Sequence, residues 1–138
     1  MNDIESAIKH LRELNEPVPR PLSLPNEIEV KKWETELGIL LPVDYRTYLL
    51  KASDVVLGSI EPGTIGDPLS HTHLPKIIQS ARTYGVPENL LPFCEDNGDF
   101  YCLTSHGEIV FWSHNGISDE SWPNLADWIE QVWIGENT

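Results

Sequence analysis

The sequence predicts one α+β domain, with N-terminal helices, an antiparallel twisted sheet and a C-terminal helix. Three observations predict it. Apolar residues recur at helical spacing through the first half, β-rich runs separated by glycine-bearing turns follow residue 89, and a helical stripe returns after Pro123. That order places helices on one face of a sheet. At 138 residues the chain suits a single domain and can build a core without staples.

Ile4, Ala7, Ile8, Leu11 and Leu14 form the first helical stripe, with Asp3 as its N-cap. Pro17, Pro19, Pro21 and Pro25 then hold the backbone extended, because each ring fixes φ and removes a donor. Residues 1–25 therefore read as a helix plus a proline-rich segment wrapping the surface, forming one globular unit with 26–138. Asn26 and Glu29 make a capping-box start. Val30, Trp33 and Leu37 continue that helix, and Gly38 supplies its left-handed end. Pro42 suits the first turn of the next helix, which carries Tyr45, Tyr48, Leu49 and Ala52.

Val55 to Ile60 is rich in β-branched residues and reads as a strand. Glycines and prolines at 58, 62, 63, 66 and 68 then break the chain into turns. Pro75 opens a helix through Ile77, Ile78 and Ala81, ending near Gly85. Leu90–Cys94, Phe100–Thr104 and Glu108–His114 read as three strands, joined by turns over Glu95–Asp99 and Ser105–Gly107. Leu125, Trp128, Ile129 and Val132 form the closing helix, with Pro123 in its first turn.

The charge is lopsided. Acids outnumber bases 22 to 9, for a formal charge of −13. Residues 83–138 contain no lysine or arginine. A nucleic-acid binder needs a cationic footprint, so this balance argues against nucleic acid and against anionic membrane as partners. The acids either solvate the outer face of the sheet or form a landing surface for a basic protein partner. As loop positions, Glu95, Asp96, Asp99, Asp119 and Glu120 are the exposed candidates for such a surface. Trp112 and Trp128 fall on core patterns, whereas Trp122 and Trp133 lie near element ends and suit core or interface equally. Trp122 joins the candidate contact residues.

Catalysis finds no support. Cys94 and Cys102 fall on strands rather than at a helix N-terminus, and no Gly-x-Ser-x-Gly elbow or phosphate-binding glycine loop occurs. Gly98 would be the sixth position of a calcium loop, but Phe93 would then be the first ligand, so that pattern fails. His71 and His73 are two apart and could start a metal site with His106 or His114, yet no paired ligand spacing supports it. The expectation is therefore no enzyme, no metal and no cofactor. No basic-then-apolar leader and no long apolar run occur, so a reducing cytoplasm with two free thiols is expected.

The run from Trp33 to Leu49, with Leu37-Gly38, Leu41-Pro42 and Tyr45, resembles the signature of the SUKH superfamily. Leu91-Pro92-Phe93, Asn97 to Leu103 and Gly107 to Val110 look like its successive strands and turns, so the resemblance covers roughly 26–134 within a 26–138 SUKH-like domain. Trp33, Leu37, Gly38, Pro42, Tyr45 and Tyr48 read as folding residues rather than a site: they pack, cap or start helices. One departure stands at Ser53-Asp54, where many members carry Asn-Gly. The resemblance implies an α+β fold without catalysis. It implies an immunity protein that binds and blocks a toxin, often a nuclease, or a regulatory scaffold acting through protein contacts. A basic toxin domain is the expected partner, and the sequence sets no oligomeric state.

Overall fold

The computed structural model describes residues 2–137. Its elements are α1 (Ile4–Leu14), α2 (Glu27–Leu37), α3 (Val43–Ala52), α4 (Leu74–Tyr84), β1 (Leu91–Asp96), β2 (Asp99–Leu103), β3 (Ile109–Ser113), β4 (Gly116–Trp122) and α5 (Leu125–Trp128). A π-helical turn, Ile129–Ile134, carries α5 onward. The α+β order expected from the sequence is the one observed.

The helix ends follow their capping residues. The Asp3 carboxylate accepts from the Ser6 N–H, and Asn26 and Glu29 close a reciprocal capping box. Gly38 ends α2 in the left-handed conformation, φ 68°. Pro42 stands at the N-cap of α3 rather than inside its first turn. Pro123 likewise precedes the helix, because the Asn124 side chain caps it by accepting from the Asp127 N–H.

The four strands form a meander in the order β1-β2-β3-β4, each pair antiparallel. Asn97 (φ 53°) and Gly98 (φ 88°) make the first connection. Two consecutive left-handed residues fit a tight hairpin turn, so the expected five-residue turn shrinks to two. Asp96 and Asp99 thereby become paired strand ends rather than loop residues.

Both faces of the sheet are covered, which corrects the one-sided arrangement the sequence suggested. Phe93, Tyr101, Leu103 and Ile109 pack into the main core with Leu11, Leu49 and Trp128. Phe100, Cys102 and Trp112 point the other way, onto Ile77 and Ala81 of α4. A strand buried on both faces loses its polar alternation, and Phe100–Leu103 is a continuous buried run.

The segment 55–60 is not a strand. Val55 and Leu57 are buried, but Val56 finds its backbone partners in the segment leaving α1, bonding Asn15 and Glu16, and no ladder forms. Gly58 (φ 62°) turns the chain away. The missed strand is β4, whose exposed polar residues hide the pattern of an edge.

The π turn has a packing reason. Its wider spacing brings Trp128 and Trp133, five residues apart, onto the same buried side with ring centroids 6.3 Å apart. The Trp133 indole N–H donates to the Leu57 carbonyl at 3.0 Å, so this tryptophan belongs to the core.

Candidate functional site: an acid-rimmed aromatic face

In an antiparallel sheet, register decides which side chains share a face. Leu91, Leu103, Ile109 and Trp122 lie in one row across all four strands. The neighbouring positions on the same face include Tyr101, paired with Phe111 across β2 and β3. Their rings are 4.8 Å apart, and Tyr101 also meets Trp122 at 5.7 Å and Trp128 at 5.2 Å. Trp128 is fully buried, whereas Phe111 and Trp122 are only half-buried. A continuous aromatic floor thus runs from the core to the surface.

Negative charge acts on that floor. Burial raises the Tyr101 phenol well above its usual range, and the charges of Asp96, Glu136 and Glu120 push it the same way. Those three acids come from β1, the last turn and β4, and the charge of each disfavours the phenolate of one residue. Asp96 and Asp99 oppose each other directly at the mouth of the hairpin. Like charges across a strand pair are locally unfavourable, so the pair contributes nothing to the hairpin's own stability.

The six residues singled out in the sequence divide. Asp96, Asp99 and Trp122 share the aromatic face by register, and the charge of Glu120 acts on its Tyr101. Glu95 pairs with Phe100 and belongs to the opposite, α4-covered side. Asp119 sits in an irregular stretch, where Ser118–Glu120 stand opposite Phe111 alone and the Glu120 N–H turns to the Ser118 hydroxyl. Both Asp119 and Glu120 are strand residues, not loop residues. The bulge interrupts the outer edge of the sheet, which discourages pairing with another strand. Tyr101, Phe111 and Glu136 were not singled out. The first two could have been found from the period of two along β2 and β3. Glu136 is distant in sequence and gives no such signal.

The signature residues build the scaffold. Tyr45 donates its hydroxyl to the Gly63 carbonyl at 2.7 Å, and Tyr48 packs edge-on against Trp133 at 5.9 Å. Trp33 and Leu37 are half-buried against the core, and Trp33 meets the His73 ring at 4.7 Å.

The two central histidines separate. His71 is exposed and bonds Glu61 at 2.8 Å, while His73 is buried against Trp33. Among the described residues, no group of three or more His, Cys, Asp or Glu side chains is placed to hold a metal ion. Cys94 and Cys102 are free and buried, and burial pushes the Cys102 thiol up to about 12. No described helix is long and apolar enough to cross a membrane.

A family model described as SMI1-KNR4 cell-wall, SUKH_5, matches residues 4–134, including the first helix that the sequence resemblance left out. A crystal structure of a protein from Pseudomonas syringae pv. tomato is similar at 44% identity and a TM-score of 0.91. The similarity covers 95% of this chain and 98% of that one. No curated protein matches the chain.

Proposed function

The chain belongs to the SMI1-KNR4 cell-wall family of SUKH domains, and from that premise we propose that it is a non-enzymatic binding protein that neutralises a basic toxin domain. The observation that carries this reading is the register that sets the facing carboxylates of Asp96 and Asp99 on the same face as the aromatic floor of Tyr101, Phe111 and Trp122, where the charges of Glu120 and Glu136 add to the negative field at Tyr101. Aromatic centres with a charged rim are the usual composition of a protein interface.

The mechanism is occlusion. Carboxylates occupy the cationic groups with which a nuclease would hold its substrate, and the aromatic floor seats an apolar contact beside them. The uncompensated charge of residues 83–138 accelerates encounter with a positive partner, since complementary fields raise association rates by orders of magnitude. Buried thiols with raised pKa values are poor nucleophiles, which fits binding rather than catalysis. Such a partner would be met in the cytoplasm.

Co-expression tests the proposal. The C-terminal domain encoded by the adjacent gene is induced in a sensitive host with and without this chain. Growth restored only by this chain supports immunity. A harmless neighbour, or killing that this chain does not relieve, sinks the proposal. A regulatory scaffold then takes its place, the reading that the family's cell-wall description favours.

A further inference from the structure

The extended link between α2 and α3 carries a feature that the folding role of its motif does not explain. Leu41 is buried, but Leu40 is 84% exposed and Val43 75% exposed. Single exposed apolar residues are ordinary; two flanking one groove are not. The groove measures about 1080 Å³ and runs between this link, α4 and the β2–β3 turn, with Leu91 and Leu125 among its lining residues. Pro123 and Asn124 also line it, so it begins immediately after Trp122.

The link is rigid. The Gly38 and Ile39 N–H groups donate to the Thr35 and Glu34 carbonyls, and the Leu41 N–H donates to the Glu34 carboxylate at 2.8 Å. Leu40 and Val43 are therefore held outward by a hydrogen-bonded backbone, and binding would require little further ordering.

The charged groups of the groove decide what fits it. Asp44 and Glu88 lie in its walls, and neither makes a side-chain hydrogen bond or ion pair among the described residues. Burial raises the Asp44 carboxyl, as expected for a partly desolvated acid without a counter-charge. Arg82, the groove's cation, already donates to the carbonyls of Val86, Pro87 and Leu90. Three of its five N–H donors are thereby committed to the backbone, whereas an incoming cation would find two open carboxylates.

We infer that this groove docks a partner segment presenting an apolar side chain next to a lysine or arginine, seated on Leu40 and Val43 with its cation at Asp44 and Glu88. The inference rests on the protein-binding reading and adds a second contact at the opposite end of the sheet from the Asp96–Asp99 hairpin.

The test is titration of the isotopically labelled full chain, followed by amide NMR, with a seven-residue capped peptide bearing Lys-Leu-Lys at its centre. Control peptides carry Glu-Leu-Glu or Lys-Ser-Lys. Saturable shifts should concentrate at Ile39–Asp44, Glu88–Leu91 and Ser105–Gly107. The control peptides, and the variants Leu40→Ser/Val43→Ser and Asp44→Asn, should each bind at least tenfold more weakly. Three outcomes of the titration overturn the inference: shifts centred elsewhere, equal binding of all three peptides, or concentration-dependent self-association through Leu40 in place of peptide binding. The groove and the acidic face can fail independently, because Leu40→Ser/Val43→Ser leaves Asp96, Glu120 and Trp122 untouched. Full growth protection by that variant overturns the groove while leaving the neutralising role standing.

Discussion

Tyr101 and Trp122 meet edge to face at 5.7 Å, and through that contact the core becomes a surface. Tyr101 also touches the fully buried Trp128, while Trp122 remains half-exposed at the end of the edge strand. Asp96, Glu136 and Glu120 press on the same phenol. Crowded like charges lower the stability of a folded chain unless something else needs them. The double variant Asp96→Asn/Glu120→Gln should therefore raise the urea unfolding midpoint at low ionic strength. The gain should shrink as salt screens the repulsion. A lowered midpoint would mean that these acids hold the fold.

Gly38 and Gly66 separate two reasons for glycine. Nothing lies within 4 Å of a Cβ built on Gly38, so Gly38→Ala costs only the left-handed backbone, about 1–2 kcal/mol. At Gly66 an added Cβ would collide with the Ser23 carbonyl of the proline-rich segment. Gly66→Ala should cost more than Gly38→Ala and loosen residues 17–25. Chemical unfolding ranks the two, and limited proteolysis reports the segment.

His73 should make the fold sensitive to mild acid. Burial lowers its pKa, Lys76 pushes the same way, and Asp67 opposes them. Its ring Nδ1 is buried without a hydrogen-bond partner among the described residues. A histidine whose folded pKa lies below its unfolded value, about 6.5, binds fewer protons folded than unfolded. Stability therefore falls as pH drops from 7 towards 5. The slope over that window should be shallower in His73→Gln, measured by unfolding at fixed salt. Identical slopes would remove His73 from the pH response.

Cys94 and Cys102 lie on adjacent strands but enter opposite cores. A disulfide needs Cβ atoms about 3.8 Å apart on converging vectors, so these two cannot pair without moving the sheet. Both should react with a thiol reagent at least a hundredfold more slowly in the folded chain than in denaturant. A fast-reacting thiol in the native protein would show a looser β1–β2 hairpin.

Much of the scaffold was legible because caps and periodicity act locally. Asp3, Asn26 and Gly38 mark helix ends by hydrogen bonds within a few residues, and the structure places those ends there. The segment 55–60 misled because β-branched residues favour extended backbone whether or not a partner strand exists. β4 was missed because an edge strand with one exposed face and a bulge shows little apolar pattern. The site was half legible. Acid content indicated the hairpin and β4, but the division between Asp96 and Glu95 depends on register. Glu136 reaches Tyr101 only through the tertiary fold.

The central claim is that the acid-rimmed aromatic face neutralises a basic toxin domain. The most direct measurement compares growth protection by the native chain and by Asp96→Lys/Glu120→Lys, against the same induced toxin domain. Circular dichroism of the purified chains confirms that both are folded, and immunoblotting that the cells hold equal amounts. The account predicts full protection by the native chain and loss of protection, by at least tenfold in surviving cells, for the charge-reversed variant. Equal protection by a folded variant would contradict it and assign binding to another surface.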